Sequence, residues 1–222
     1  MTVLTSPTPT VPTAPRVRRQ ALLAGVVAGP LFVTTAVLQI LTRNGFDLTR
    51  HPISLLANGP FGWVQSANFL VAGVLSVIFA YAAAPQLRGG RGAVAGPVLL
   101  AGYGVGLITA GIFKADPAMG FPAGAPAGYP EHLSTSSVIH GFAPPLAFGC
   151  LVAACFVLAG RFARDGRRSA AVVTRVVAVV CILLTVPVGP LFSVRLFVSV
   201  VLGFAWVTAF AVSLHRHQPS LG

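Results

Sequence analysis

Apolar blocks of about 20 residues, each long enough to cross a hydrocarbon core as a helix, constrain this chain more than any other feature of its sequence. The chain is 55% hydrophobic and 9% charged, with a mean hydropathy of +0.83. A soluble domain of 222 residues needs more charge to cover its surface. The sequence therefore predicts an all-α integral membrane protein, a compact bundle of six transmembrane helices. These helices are predicted at about residues 21–42, 61–84, 93–113, 138–160, 170–186 and 191–214.

The two ends of the chain lie outside these helices. Residues 1–19 are rich in Pro and Thr and then basic, and we expect them to form a disordered tail. Residues 216–222 form a short C-terminal tail. The basic residues before the first apolar block resemble the start of a signal peptide, but the block is long and no small-residue cleavage site ends it. We therefore interpret it as an uncleaved first helix.

Basic residues are distributed unequally between the two predicted sides of the membrane. Six crossings place both termini on one side, together with Arg16, Arg18, Arg19, Arg88, Arg91, Arg161, Arg164, Arg167, Arg168, Arg175 and Arg216. Only Arg43, Arg50, Lys114 and Arg195 fall on the other side. Because short cytoplasmic loops carry an excess of Lys and Arg, both termini are predicted to be cytoplasmic. The first polar loop (residues 43–60) and the second polar loop (residues 114–137) then face outward.

The net charge of +11 is explained by this topology, so we do not expect a nucleic-acid partner. The expected partner is the lipid bilayer. Fourteen of the fifteen basic residues are Arg, a bias typical of a GC-rich bacterial genome. The expected location is therefore the bacterial plasma membrane, which the chain crosses several times.

Ionisable and polar side chains converge on the predicted outer end of the bundle, which suggests a pocket there. Asp and His serve acid–base chemistry, and Arg can pair with an anionic head group. The candidate catalytic residues are Asp47, His51, Asp116 and His140, and the candidate substrate-binding residues are Arg43, Arg50, Ser54, Asn68 and Arg195. The alternative is a structural network in which Asp47 pairs with Arg50 or Arg195 and Asp116 pairs with Arg43.

No motif predicts a metal site or a cofactor. His51, Asp116, His132 and His140 are acceptable zinc ligands by type, but their spacing matches no metal motif. Ser54 has no GxSxG context. No phosphate-binding or dinucleotide-binding glycine loop occurs, so the sequence names no cofactor.

Two features of the apolar blocks bear on helix packing. Pro144 and Pro145 interrupt the fourth helix and free carbonyls about one turn earlier, near His140, where a kink would open a cavity. Small residues recur four apart, a spacing that lets helix backbones approach closely within the bundle or at a homodimer face. The pairs are Gly25 with Gly29, Gly92 with Gly96, and Gly102 with Gly106. The sequence specifies no oligomeric state.

Two motifs resemble those of a bacterial membrane family known as domain of unknown function 998. The stretch RNGFDLTRHPISLLANGPFGWVQSANFLVAG resembles its first signature region through His51, Ile53, Ser54, Leu56, Gly59, Trp63 and Asn68. The stretch GIFKADPAMGFPAGAP and a later HG resemble the second through Phe113, Asp116, Pro117, Gly120, Phe121, Pro122, Gly124, Pro126 and His140. The resemblance spans most of residues 20–215. It implies a compact multi-helix membrane protein and brings no reaction with it.

Three functions stay open at this point. In the first, an outward-facing polar pocket binds or modifies a lipid or another hydrophobic molecule, with a prenyl chain as one conceivable substrate. In the second, the protein is a non-enzymatic membrane accessory protein whose outer loops dock a partner. The third is a small transporter, which the nearly uncharged helix interiors argue against. Whether the protein is an enzyme stays open as well.

Overall fold

The computed structural model describes residues 14–217, and all regular elements in that range are helical apart from one isolated β-bridge. A short helix α1 (Ala14–Ala21) precedes six helices that are long and apolar enough to cross a membrane. These are α2 (Leu23–Thr42), α3 (Gly62–Ala83), α4 (Ala95–Ile112), α5 (Thr135–Arg164), α6 (Arg168–Thr185) and α7 (Phe192–Arg216). The predicted all-α bundle of six transmembrane helices is confirmed.

The short helix α1 leads almost directly into α2, so the part of the predicted tail after residue 13 is helical. Arg18 and Arg19 lie in its last turn, where the partial negative charge of a helix end favours cations. The guanidinium of Arg18 also lies over the ring of Tyr81, 5.8 Å from its centroid. The rest of both predicted tails, residues 1–13 and 218–222, lies outside the described residues.

The six membrane helices form a closed ring. Each helix packs against the next one along the chain, and α7 returns to pack against α2. The order follows from short connections, such as residues 165–167 between α5 and α6, which make sequential helices antiparallel neighbours.

A close approach of α3 and α4 is built on two glycines. A Cβ atom on Gly73 of α3 would lie 2.7 Å from the carbonyl oxygen of Gly104, and a Cβ on Gly104 of α4 would lie 2.7 Å from that of Gly73. The two backbones can meet only because neither residue has a side chain. Glycines from the predicted small-residue pairs also face inward: Gly25 faces Phe79 and Ala211.

Both polar loops cover the same end of the bundle, which we call the polar end. In the structure the first polar loop occupies residues 43–61 and the second occupies residues 113–134. The first loop contains a 3-10 helix, Ile53–Ala57, in which Ile53, Leu55, Leu56 and Ala57 are buried. This element closes the polar end of the ring with apolar side chains. That the polar end faces outward stays a prediction.

Candidate functional site

The two polar loops are joined by the side chain of His51, which is 2% exposed. Its Nδ1 accepts a hydrogen bond from the backbone N–H of Asp47 at 2.9 Å. Its Nε2 lies 3.0 Å from the carbonyl oxygen of Met119 in the second loop. Since a carbonyl only accepts and an N–H only donates, the ring is the neutral tautomer with its proton on Nε2. Nδ1 is therefore occupied within the first loop, and Nε2 joins the first loop to the second.

Aromatic rings surround His51. The rings of Phe46 and Phe121 meet edge to face, with centroids 5.2 Å apart and an interplanar angle of 87°. The imidazole lies 5.4 Å from Phe46 and 5.6 Å from Phe121. These contacts bury an apolar cluster between the two polar loops. We call the two joined loops the cap.

Arg43 extends the cap from the end of α2. Its guanidinium donates to the carbonyls of Leu56 at 3.2 Å and Asn58 at 2.7 Å, and lies 5.4 Å from the centroid of Phe121. The side chain of Asn58 in turn donates to the carbonyl of Ala115 in the second loop at 3.1 Å. Arg43 thus stabilises the backbone of the first loop.

The other two candidate arginines are also bonded to backbone. Arg50 donates to the carbonyl of Met119 at 3.3 Å. Arg195, at the start of α7, donates to the carbonyl of Val188 and lies 5.8 Å from the ring centroid of Phe192. Both cations thus donate to backbone carbonyls and not to carboxylates.

Asp47 acts locally in the first loop. Its exposed carboxylate accepts hydrogen bonds from the hydroxyl of Thr49 at 2.7 Å and from the backbone N–H of Thr49 at 2.8 Å. These bonds hold the pKa of Asp47 below its usual range, with the hydroxyl as the largest cause.

Asp116 organises the start of α5. Its carboxylate accepts from the hydroxyl of Ser134 at 2.6 Å and from the backbone N–H of Ser134 at 2.7 Å, which lowers the pKa of Asp116. Ser134 is the N-cap of α5 and accepts from the N–H of Ser137 at 3.1 Å. The backbone N–H of Asp116 donates to the hydroxyl of Ser137 at 3.2 Å. Asp116 thereby ties the second loop to the helix that it precedes.

The ion pairs considered from the sequence do not form. Within residues 14–217 the salt bridge is that of Arg161 with Asp165, 3.5 Å apart at the other end of the bundle. The polar loops are instead tied by hydrogen bonds to backbone carbonyls and N–H groups. Those groups are present at every residue, so no charge pattern in the sequence points to them.

A cavity lies beneath the cap, inside the ring. Its volume is about 70 Å³. Five of the six membrane helices and the 3-10 helix contribute to its wall. The lining residues are Phe32, Pro52, Ile53, Ser54, Phe69, Tyr103, Gly106, Leu107, Ala110, His140, Ala143, Pro144, Ala147, Phe148, Leu151, Leu196 and Val200. The cavity is therefore narrow and almost entirely apolar.

His140 lies in the wall of this cavity, two turns into α5. Its Nδ1 lies 2.7 Å from the carbonyl of Phe113, at the end of α4. The carbonyl can only accept, so Nδ1 carries the proton and Nε2 keeps its lone pair in the neutral ring. His140 thus makes a structural bond to the end of α4 through Nδ1, while its Nε2 makes no hydrogen bond to any residue in 14–217.

The cavity adjoins a groove on the outside of the bundle. The groove lies between α5, α6 and α7 towards the polar end and has a volume of about 520 Å³. Pro144, Phe148 and Leu196 line both the cavity and the groove. Pro144 and Pro145 lie inside α5, which continues through them from Thr135 to Arg164, and the predicted kink stays a prediction. The side chains of Pro144, Phe148 and Leu196 therefore separate the cavity from the groove.

Asn68 lies behind the cavity wall in a cluster of buried amides. It donates to the carbonyl of Phe32 at 3.0 Å and to Gln65 at 3.4 Å. Gln39 of α2 donates to the side-chain oxygen of Gln65 at 2.7 Å. Gln39 and Gln65 were not among the predicted residues, although an amide within an apolar block is a visible signal. These bonds join α2 to α3 through polar groups.

The nine predicted residues thus divide among five places. Ser54 and His140 line the cavity, with Tyr103 as a polar neighbour that the sequence did not single out. Arg43, Asp47, Arg50 and His51 belong to the cap, and Asp116 joins the second loop to α5. Asn68 lies behind the cavity wall, and Arg195 lies at the start of α7. Between residues 14 and 217 no three His, Cys, Asp or Glu side chains are grouped as metal ligands would be.

Six apolar helices closed by a cap of polar loops define a polytopic membrane protein. The profile of a family described as "Protein of unknown function (DUF998)" matches residues 26–213, nearly the whole bundle and both loops. The chain belongs to this family, as the motifs in its two polar loops predicted. Comparison with curated proteins and with solved structures found no match.

Proposed function

We propose that this protein binds a lipid or another hydrophobic molecule in the cavity beneath its cap. The observation that carries the proposal is the cavity itself, an apolar space of about 70 Å³ with polar side chains at few positions. Binding sites for small hydrophobic ligands share this character, with apolar walls and a few polar groups that orient the ligand. The narrow interior suits a single slim chain better than a fused ring system.

The groove between α5, α6 and α7 supports access from the bilayer. Its lining is apolar apart from Thr185, and it shares three side chains with the cavity. A rotation of Phe148 and Leu196 would join the two spaces, so a ligand could enter sideways from the surrounding lipid. The closed cap above the cavity makes access from water less favourable, because His51 and Arg43 hold it shut.

The location of the protein belongs to the same proposal. The arginine distribution favours the bacterial plasma membrane with the polar end outward. The ligand would then come from the outer leaflet. If the ligand is modified as well as bound, His140 is the side chain at the cavity able to accept a proton.

The proposal is tested by filling the cavity. Ala143 is 1% exposed and lines the cavity, so Ala143→Leu places a larger side chain in the ligand's space. Ala205→Leu is the matched control, because Ala205 is an exposed position of α7 that lines only a separate groove against α2. The assay is photo-crosslinking of the full chain, in proteoliposomes, to a diazirine-bearing long-chain lipid, with the labelled peptides mapped by mass spectrometry.

We expect labelling of α5 peptides around residues 140–151, reduced about tenfold or more in Ala143→Leu and unchanged in Ala205→Leu. Thermal unfolding of both variants checks that the bundle is intact. Equal labelling of α5 in the wild type and in a well-folded Ala143→Leu variant would show that the lipid contacts the outside of the bundle only, which rejects the proposal.

A further inference from the structure

The cavity that is proposed to bind a lipid carries no fixed charge on its wall. Its polar lining side chains are Ser54, Tyr103 and His140. His140 is 6% exposed, and no carboxylate lines the cavity to pair with an imidazolium. Because an unpaired buried charge is very costly, His140 is neutral here. The cavity wall can therefore form hydrogen bonds with a ligand, but it presents no charged group to pair with a charged ligand.

The arginines of the polar end do not supply a positive charge to this cavity. Arg43 and Arg50 donate to backbone carbonyls of the two loops, and Arg195 donates to a carbonyl near the start of α7. None of the three lines the cavity. The pairing of these arginines with an anionic head group, expected from the sequence, would therefore have to take place outside this cavity.

A cationic head group is disfavoured because it would need a carboxylate as its partner in the cavity. The chain has four acidic residues in all. Asp47 is bonded to Thr49, Asp116 to Ser134, and Asp165 to Arg161 at the far end. Glu131 is exposed in the second polar loop. No carboxylate faces the cavity, so a cationic head would be buried without a partner.

The hydrogen-bonding groups on the wall match a hydroxyl. Ser54 and Tyr103 make no side-chain hydrogen bond to any residue in 14–217, and the Nδ1 bond of His140 leaves Nε2 as an acceptor. A hydroxyl can donate to Nε2 and accept from Ser54 at the same time. The apolar wall continues along α5 from His140 to Leu151, a rise of about 16 Å along the helix. A single chain that extends from the polar groups would lie along this wall.

We propose that the ligand is a single-chain lipid with an uncharged, hydroxyl-bearing head, such as a long-chain or prenyl alcohol, whose hydroxyl bonds Ser54 and His140. This inference rests on the proposed function of the cavity and narrows it to one class of head group. In this proposal the residues of the cap have a structural role, and the residues of the cavity wall recognise the ligand.

The test uses three photoreactive probes with one chain and different heads: a diazirine-bearing long-chain alcohol, its monophosphate ester and the corresponding primary amine. The full chain is reconstituted in phosphatidylcholine vesicles, labelled with each probe, and digested for peptide mapping. We expect the alcohol to label the cavity peptides about tenfold or more above the phosphate and the amine, since each charged head loses its hydration without gaining a partner.

Two variants test whether the head group binds to Ser54 and His140. Ser54→Ala and His140→Phe should each lower alcohol labelling of the cavity several-fold, whereas His132→Phe, at an exposed loop position, should leave it unchanged. Ser54→Ala removes only a hydroxyl without a structural bond, so it stays informative if His140→Phe fails to fold.

The outcomes distinguish the two proposals. Cavity labelling by the phosphate or the amine as strong as that by the alcohol overturns the uncharged head while leaving a lipid-binding cavity. Alcohol labelling that Ser54→Ala and a folded His140→Phe both leave unchanged also overturns it. If no probe labels the cavity peptides, the proposed function fails and this inference fails with it.

Discussion

The imidazole of His51 joins the two polar loops by donating from Nε2 to the carbonyl of Met119 at 3.0 Å while Nδ1 accepts from the N–H of Asp47 at 2.9 Å. A histidine with both nitrogens bonded to backbone has no lone pair left for a substrate. Its neighbours Phe46 and Phe121 enclose the ring. In this geometry His51, the histidine of the first family motif, has a structural role, because it links the two polar loops.

Replacing His51 with Ala should destabilise the protein by about 2 kcal/mol or more, because a backbone N–H and a carbonyl lose their partners and a cavity opens in the cap. The measurement is thermal or denaturant unfolding in detergent. His132→Ala is the control, since His132 is exposed, and its effect should stay within about 0.5 kcal/mol. Loss of ligand binding in His51→Ala at unchanged stability would contradict the structural role.

Asp116 should make stability depend on acid pH. The bonds from Ser134 lower its pKa in the folded protein below the ordinary value of 3.8. A carboxyl whose folded pKa is depressed stabilises the fold above the unfolded pKa and loses that contribution as pH falls through the folded pKa. The melting temperature of the wild type should therefore exceed that of Asp116→Asn at neutral pH, and the difference should shrink below a pH of about 3.8.

The control for this pH series is Glu131→Gln, which removes an exposed carboxylate of the same loop. We expect its melting curve to follow the wild type at each pH. A gap between wild type and Asp116→Asn that stays constant from neutral pH to well below 3.8 would show that the charge of Asp116 does not stabilise α5.

Gly73 and Gly104 should tolerate no side chain at the contact of α3 and α4. A Cβ on either residue would lie 2.7 Å from the carbonyl oxygen of the other, so the helices would have to separate. We expect Gly73→Ala and Gly104→Ala to lower the free energy of unfolding by about 1 to 3 kcal/mol. Gly149→Ala is the matched control in α5, because its Cβ would meet nothing within 4 Å. Its higher helix propensity should leave stability unchanged or slightly raised, and equal effects at all three sites would refute the close contact.

The predicted topology places both termini in the cytoplasm. A fluorescent protein fused after residue 222 should fluoresce, and alkaline phosphatase inserted at Gly128 of the second polar loop should be active outside the membrane. Gly128 suits the insertion because the space around it is open. The reverse pattern, an active phosphatase at the C terminus and an inactive one at Gly128, would contradict the positive-inside assignment.

The sequence predicted the helices well because their signal is local. An apolar block of sufficient length becomes a membrane helix regardless of its neighbours, since its backbone must satisfy its own hydrogen bonds in lipid. The two polar loops were likewise identified from their composition. Their motifs correctly indicated the family, whose profile matches residues 26–213.

The sequence was less informative about what each polar side chain does. Arg43 was expected to meet a carboxylate or an anionic ligand, yet it bonds the carbonyls of Leu56 and Asn58. Tyr103 was overlooked because one tyrosine in an apolar block looks like an ordinary packed side chain. Its position on the cavity wall depends on which face of α4 turns inward.

The sequence by itself determined the class of the protein, the number of membrane helices and the two loops that carry its polar residues, because hydropathy and charge act along the chain over about 20 residues at a time. Only the tertiary structure decided that Asp47, Arg43 and His51 build the cap while Ser54 and His140 line the cavity. That division depends on how the ring of helices closes and which backbone groups come within hydrogen-bonding distance. Such contacts join residues far apart in the chain, as His51 and Met119 show.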